Sequence, residues 1–347
     1  MKSVYCAALI TVFGLLPTRA PAQQYSVTDS IPLGGQGAWD YLRADSYARR
    51  LYVSHSSEVI VLDLDNKQTV GKLTGFGFVH GIVIVKTLNT GFVSDGQKDE
   101  VVTFNPKTLQ IKDRIKTVAN PNSMAYDTVT GKLFVGHKPS KSITAINATT
   151  GKIEGRIKLP GTPEFPATDG RSSLFVNIED KNELVRIDTK TLEITAHYPL
   201  APCTGPGGLA IDLERHRLFA ACDNKIMAVV NSDTGAVVAS LPIGSGPDAA
   251  GFDPGTRLAF SSNGEGNLTV IKEEDGDRYR VIQTVATEPG ARTMTLDETT
   301  HTVFLSTAKL GAPPAPTAEN PHPPNHPTAV AGSFKLVVVS PVGSHSK

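Results

Sequence analysis

The sequence has 347 residues, and its 34 Lys and Arg residues are balanced by 34 Asp and Glu residues. This neutral balance excludes a protein that relies on general electrostatic attraction to nucleic acid or anionic lipid, although a local basic patch stays open. No segment after residue 22 is apolar over the length of about 20 residues that spans a membrane. A repeat fills residues 23–347 without a linker, which indicates a single domain.

The first 22 residues have the organisation of an export signal. Lys2 supplies the positive start, Val4 to Leu16 form the apolar centre, and Ala20-Pro21-Ala22 is a small-residue cleavage site. The apolar centre is too short to serve as a membrane anchor. We therefore predict a signal peptide over 1–22, cleavage after Ala22, and a periplasmic or secreted mature protein.

The segment Tyr25 to Gly34 reads as an isolated outer strand. Its stretch Ser30 to Gly34 matches Ser240 to Gly244, which is the last strand of a later repeat. The final repeat of the chain ends one strand short, after Phe334 to Ser340. We predict that the N-terminal strand completes this repeat, because such closure removes an open sheet edge and joins the two chain ends.

The stretch Pro121 to Leu159 shows the repeat most clearly. Apolar and polar residues alternate in four short runs, and turn residues such as Thr130-Gly131 separate the runs. Each unit is therefore predicted to be an antiparallel meander of four strands, a to d. Strand b recurs at a spacing of about 40–45 residues, which is typical of propeller blades. Its seven copies are Leu51–Ser54, Gly91–Ser94, Leu133–Gly136, Leu174–Asn177, Leu218–Ala221, Leu258–Ser261 and Val303–Ser306.

Turn residues recur with the strands. An Asp opens the turn between strands a and b in six copies, whereas the second copy has Val85 there and must build its turn differently. Asp and Asn favour turns because their side chains hydrogen-bond to the backbone two residues further on. The six residues are Asp45, Asp127, Asp169, Asp212, Asp253 and Asp297. The sequence thus predicts an all-β, seven-bladed β-propeller with four antiparallel strands per blade.

These strand-b stretches, and the Asp-x-x-x-Gly-Lys-Leu pattern from Asp127 to Leu133, resemble the YncE-like, YVTN-repeat family of exported seven-bladed β-propellers. The resemblance covers essentially all of the mature sequence, and Leu51-Tyr52-Val53-Ser54 comes nearest to the tetrapeptide that names the family. It implies the fold and leaves the activity open. Related propellers include lactonases, quinoprotein dehydrogenase subunits and plain binding scaffolds.

A polar ring is predicted where the strands a enter the central channel, five residues before each a–b turn position. Its members are Asp40, His80, Asn122, Glu164, Gly207, Asp248 and Arg292, which we call the mouth ring. The functional interpretation is a funnel that binds a polar or cationic ligand or a metal, or that performs acid–base chemistry. The structural alternative is that these side chains are solvated or pair with each other.

Histidines give a second candidate site. His55 and His137 follow strand b in blades one and three, on the same face as His80. Three histidines on adjacent blades would suit a metal, but no metalloprotease spacing accompanies them. We predict no cofactor and leave a divalent metal open.

Blade five carries the two cysteines of the mature chain. Cys203 precedes strand a and Cys222 ends strand b, so both lie on the same face of the blade. We predict a disulfide in an oxidising compartment, with two free thiols as the alternative.

The connection over residues 308–332, between strands b and c of blade seven, is longer than the others and rich in proline. Proline favours an extended conformation and prevents added strands. A stiff surface loop and a lid or partner-docking arm are both consistent with this composition.

Two functions follow from the sequence. The first is a non-catalytic scaffold that binds a small molecule or a periplasmic protein at the channel mouth, as a monomer that does not bind nucleic acid. The second is a lactonase-like hydrolase, with or without a bound metal. In it Asp40, Glu164 or Asp248 activates water, and His80 or Arg292 stabilises an oxyanion.

Overall fold

The computed structural model describes residues 23–313 and 328–343. In these residues 28 strands form seven separate four-stranded sheets, and the helical content is two short 3₁₀ helices, Lys86–Leu88 and Glu179–Lys181. The all-β, seven-bladed prediction is confirmed. The signal peptide predicted over 1–22 lies outside the described residues.

In blades one to six, the four strands run in chain order from the inner edge to the outer edge. Blades one to three are β2 (Trp39–Asp45), β3 (Arg50–His55), β4 (Glu58–Asp63), β5 (Thr69–Leu73); β6 (Val79–Val85), β7 (Thr90–Asp95), β8 (Glu100–Phe104), β9 (Ile111–Lys116); and β10 (Pro121–Asp127), β11 (Lys132–His137), β12 (Ser142–Asn147), β13 (Ile153–Lys158). Blades four to six are β14 (Pro163–Thr168), β15 (Ser173–Ile178), β16 (Glu183–Asp188), β17 (Ile194–Pro199); β18 (Pro206–Asp212), β19 (Arg217–Cys222), β20 (Ile226–Asn231), β21 (Val237–Pro242); and β22 (Pro247–Asp253), β23 (Leu258–Asn263), β24 (Asn267–Glu273), β25 (Tyr279–Ala286).

Blade seven is built from both ends of the chain. It contains β26 (Thr293–Asp297), β27 (Thr302–Thr307), β28 (Lys335–Pro341) and, at its outer edge, β1 (Tyr25–Pro32). β1 pairs antiparallel with β28 from Tyr25 opposite Pro341 to Pro32 opposite Lys335. The predicted closure by the N-terminal strand is confirmed, and the paired strand covers the edge of β28.

The turns follow the residues that recur in the sequence. Asp127 accepts hydrogen bonds from the backbone of Val129 and Thr130, which is the geometry expected of an Asp-initiated turn. In blade two, where Val85 replaces the Asp, the turn is instead the 3₁₀ helix Lys86–Leu88, which ends at Asn89 in the left-handed conformation. The prediction that this turn is built differently is confirmed.

The hydrophobic core is divided among the blade junctions, with one buried cluster between each pair of neighbouring blades. Every strand b contributes one large aromatic residue, at most 3% exposed, to such a cluster: Tyr52, Phe92, Phe134, Phe175, Phe219, Phe260 and Phe304. A flat sheet with apolar residues on both faces needs a neighbour on each side, so the closed ring satisfies all seven blades.

The strand-b alignment predicted for blade six is wrong by one residue. Leu258 lies opposite Asp253, where blade one has Arg50 opposite Asp45, so Leu258 corresponds to Arg50 and not to Leu51. The aromatic side chain sets the register, because Phe260 fills the space between blades that the smaller Ala259 would leave empty.

The predicted disulfide is present between Cys203 and Cys222, with a Cα–Cα distance of 5.7 Å. Both cysteines are buried in the cluster between blades four and five. The bridge ties the loop before β18 to the end of β19. Over residues 23–313 and 328–343, no helix is long and apolar enough to cross a membrane.

Candidate ligand-binding site at the channel mouth

The mouth-ring residues occupy equivalent positions around one opening. Asp40 is the second residue of β2, and the next five members hold the same place in β6, β10, β14, β18 and β22. Arg292 directly precedes β26. Each strand b ends at this same face, because it runs antiparallel to its strand a. The structure thus places the predicted residues at one end of the channel, which we call the channel mouth.

Two aromatic side chains from opposite sides of the propeller meet below the ring. The rings of Tyr41 in blade one and Phe165 in blade four have centroids 4.7 Å apart. Tyr41 donates a hydrogen bond of 3.3 Å to Asn122 Oδ1 in blade three. We call the opening above this aromatic pair the cup, and the pair its aromatic floor.

Three carboxylates act electrostatically on the hydroxyl of Tyr41. Burial raises the pKa of Tyr41 well above its usual value, and the negative charges of Asp40, Glu164 and Asp248 add to the effect. These carboxylates come from blades one, four and six, which are far apart in sequence. Their common influence on one hydroxyl shows that the ring gathers them around the cup.

On the side of blades one to three, His80 donates a hydrogen bond from Nδ1 to Asp40, and the Asn122 amide lies beside the imidazole. His80 Nδ1 lies 2.5 Å from Asp40 Oδ2 and 3.3 Å from Asn122 Nδ2. The imidazole also lies against Gly96, where an added Cβ would come within 2.5 Å of His80 Nε2. Gly96 is therefore required for His80 to occupy its place. The Asp40 carboxylate fixes the orientation of the His80 ring.

Between blades three and four, the ring is an ion pair. Glu164 has its carboxylate bound by Lys138, which directly follows β11. Burial raises the pKa of Glu164 to about 7, against the opposing charge of Lys138, and the nearby Glu179 raises it further. Burial by itself would lower the pKa of Lys138, but the Glu164 carboxylate raises it on balance. Glu164 therefore exchanges its proton near neutral pH.

Between blades six and seven, Asp248 pairs with Arg292 at 3.1 Å. Burial raises the pKa of Asp248 to about 6; the Arg292 charge opposes this, and Asp40 adds to it. Arg292 is 60% exposed, so its guanidinium borders the solvent side of the cup. The sequence alternative of mutual pairing is thus realised for Asp248 and Arg292 and for Asp40 and His80, and Glu164 pairs with a residue outside the ring.

Three charged residues of the mouth were missed by the sequence analysis. Lys138, Glu179 and Asp223 each directly follow a strand b, in blades three, four and five. Burial raises the pKa of Asp223, and the charge of Glu179 contributes. The same position-by-position comparison that gave the mouth ring would find them one residue beyond strand b. We give the name acidic arc to the carboxylates of Glu179 and Asp223 together with their neighbours in the mouth ring, Glu164 and Asp248.

The structure does not bring the three candidate histidines together. The ring of His55 stacks on Phe334 at a centroid distance of 4.2 Å, whereas His80 bonds to Asp40. His137 is buried, with Nε2 3.0 Å from the hydroxyl of Thr144. Within residues 23–313 and 328–343, no group of three or more His, Cys, Asp or Glu side chains is arranged to hold a metal ion.

The long connection of blade seven leaves the mouth face as a short antiparallel pair. Leu310 and Ala329 form a β-bridge, which is flanked by a hydrogen bond from Gly311 N to Thr328 O and another from Val330 N to Lys309 O. A cavity of about 440 Å³ lies at this base. The central part of the predicted proline-rich loop, residues 314–327, lies outside the described residues.

Comparison with known proteins identifies the fold and no family. No family model matches the sequence, and no curated protein matches it. The chain is similar to the solved structure of U3-55K, with a TM-score of 0.75 at 8% identity, covering 90% of this chain and 99% of that one. It is also similar to the WD40 repeats of RRP9, with a TM-score of 0.76 at 8% identity, covering 91% and 99%. At this identity the similarity shows a β-propeller and nothing about activity.

Proposed function

We propose that this protein is an exported, YncE-like β-propeller that acts as a non-catalytic binding scaffold and holds a positively charged ligand group in the cup at its channel mouth. The group belongs to a small molecule or to a side chain of a partner protein. Support for the family comes from the strand-b repeat and the blade-closing N-terminal strand. Support for export comes from the sequence of residues 1–22 and from the Cys203–Cys222 disulfide.

The observation that carries the proposal is the acidic arc above an aromatic floor. The four carboxylates of the arc lie between the cations Lys138 and Arg292, which pair with its first and last members only. Gly207 contributes no side chain in the middle of the arc, and an added Cβ there would meet only backbone oxygens, at 3.8 Å or more. A cationic group placed there would meet negative charge that no cation neutralises in a salt bridge among the described residues, and it would lie above the rings of Tyr41 and Phe165; both features attract cations.

The proposal is tested by a thermal-shift screen with primary amines, guanidinium compounds and short basic peptides. We expect compounds that raise the melting temperature of the wild type to have no effect on a Glu179→Gln/Asp223→Asn variant. The charge-matched control is Asp65→Asn/Asp275→Asn, which removes two exposed carboxylates from turns at the opposite face. Equal shifts in all three proteins, or no shift by any compound, would refute the proposal.

A hydrolase resembling the lactonase propellers is the second candidate, and one observation favours it. The pKa values of Glu164, about 7, and Asp248, about 6, lie where a carboxyl group can both accept and donate a proton near neutral pH. His80, held by Asp40, would stabilise an oxyanion.

A panel of lactones separates the two functions. The scaffold proposal predicts that hydrolysis by the wild type equals that of a Glu164→Gln/Asp248→Asn variant and does not exceed background. Turnover by the wild type that falls by about a hundredfold or more in this variant would establish the hydrolase instead.

A further inference from the structure

At the face opposite the mouth, two buried carboxyl groups from different blades both approach Arg215 at the junction of blades five and six. Asp212 is the last residue of β18, and Glu273 is the last residue of β24. Their exposed fractions are 2% and 1%. Neither residue belongs to the mouth ring or to the acidic arc, so the proposed function leaves this pair unexplained.

One oxygen of Asp212 is fully used and the other is not. Oδ1 accepts hydrogen bonds from the backbone N–H groups of Glu214 and Arg215, at 2.9 and 3.3 Å, and so shapes the turn after β18. Oδ2 is buried and has no hydrogen-bond partner among the described residues. A buried acceptor without a donor destabilises the fold, so such an atom calls for an explanation.

Glu273 also lacks a full set of donors. Its Oε1 accepts a bond of 3.3 Å from the Tyr279 hydroxyl, and its Oε2 lies 3.5 Å from Arg257 Nε. Arg215 Nη1 lies 3.6 Å from Glu273 Oε2 and 3.8 Å from Asp212 Oδ2, so it bonds closely to neither. The guanidinium groups reduce the repulsion between the two carboxylates without supplying the missing donor.

Burial raises the pKa of Glu273, and the charge of Asp212 raises it further against Arg215 and Arg257. Other charged groups surround the pair and its neighbours: Lys272, Asp253, Glu274, Asp275, Glu214, Asp277 and Arg217. Arg217 is engaged with Asp277 at 2.7 and 2.9 Å. The environment therefore favours one proton on the pair, and a cavity of about 220 Å³ bordered by Glu273 and Arg215 gives solvent access to it.

We propose that Asp212 and Glu273 form a proton-dependent clasp between blades five and six. In mildly acidic solution, Glu273 takes a proton from hydronium and donates it in a hydrogen bond to Asp212 Oδ2. As the pH rises, the proton leaves to water, the hydrogen bond is lost, and two carboxylates face each other. The junction of blades five and six is therefore tighter in acid than at neutral pH.

The sign of the effect follows from linkage. A carboxyl group with a raised folded-state pKa stabilises the fold below its unfolded pKa, and this stability is lost as pH rises through the folded pKa. Other buried groups also titrate, with Glu164 and Asp248 acting in the same direction and His55 and His137 in the opposite one. The test must therefore compare variants and not read the wild type alone.

The variant is Glu273→Gln, whose amide offers a permanent N–H donor to Asp212 Oδ2. The unfolding constants of the variant and the wild type are measured by urea titration between about pH 8 and pH 5. At pH 8 we expect the variant to have an equal or smaller unfolding constant, which means that it is at least as stable as the wild type. The difference should move in favour of the wild type as the pH falls. The control, Asp65→Asn, removes an exposed carboxylate from the turn that follows β4, away from this pair, and should run parallel to the wild type.

Two further measurements keep the result decisive if Glu273→Gln does not fold. Asp212→Asn places an amide donor on the other side of the pair, so its stability should show the same pH-dependent difference from the wild type as that expected for Glu273→Gln. Carboxyl-carbon NMR of the wild type, with the Glu signals labelled, should show the Glu273 signal titrating above the ordinary range of glutamate, about 4.3. Parallel stability curves for wild type and the amide variant, or an ordinary titration of the Glu273 signal, would overturn the clasp.

Discussion

His137 ends β11 with none of its surface exposed, and its two ring nitrogens face a threonine hydroxyl and a backbone carbonyl. Burial lowers the pKa of His137 to about 4, so the ring is neutral in the folded protein at physiological pH. His137, which the sequence analysis left open as one of three candidate metal ligands, is thus a packed residue of blade three. Its hydrogen bonds are local, and its neighbours Thr144 and Ala119 are not metal ligands.

We predict that His137 makes the protein acid-sensitive. Because its folded pKa is depressed from 6.5 to about 4, the unfolded chain binds more protons in this range, and stability falls as the pH drops from about 6.5 to 4. The full loss is about 3 kcal/mol. A His137→Gln variant should lose this part of the pH dependence in urea titrations while remaining close to the wild type at pH 8.

The matched control is His197→Gln, at an exposed position on β17 beside Glu183. It should follow the wild-type curve. If His137→Gln does so as well, the histidine does not carry the acid sensitivity.

At the scale of the element, strand b is where the sequence was most informative and also where it misled. Leu-Phe-Val and similar triplets gave the blade count, because a β-branched or aromatic run with turns on either side has few other interpretations. In blade six, however, the run Leu258 to Ser261 offered two registers that differ by one residue. Apolar residues at successive positions leave the phase of the alternation undetermined, and packing between blades decides it.

The register can be checked by substitution. Phe260→Ala removes the aromatic ring from the cluster between blades six and seven, where it contacts Tyr25 at a centroid distance of 5.3 Å. We expect a loss of about 3–5 kcal/mol in the free energy of unfolding, measured by urea or thermal denaturation. The control Val27→Ala, at a 44% exposed site on β1, should cost less than about 0.5 kcal/mol. Similar small losses in both variants would contradict the register.

At the scale of the whole molecule, closure by β1 was predictable and the form of the site was only partly so. The match of Ser30 to Gly34 with a later strand d, together with the missing last strand, gave the ring. The mouth-ring residues lie at the same distance before each a–b turn, and this equal spacing placed them on one face of the propeller. Contacts across the axis were not accessible, because the meeting of Tyr41 with Phe165 depends on side chains from blades one and four that no local pattern connects.

The charges of the site were also predictable only in part. Position in strand a identified Glu164 and Asp248, but their raised pKa values come from burial under the mouth loops. Those loops also supply Lys138, and its pairing with Glu164 needs the three-dimensional arrangement of blades three and four. Spacing thus predicts which residues stand around an opening, while burial and pairing determine what they can bind.

Hydrogen–deuterium exchange of the protein with and without the strongest-binding compound of the thermal-shift screen tests the central claim most directly. The account predicts slower exchange in the loops that follow β15 and β19 and at the starts of β14, β18 and β22, where the acidic arc meets the floor of the cup. Slower exchange confined to the opposite face or to the outer strands would contradict the placement of the binding site at the channel mouth.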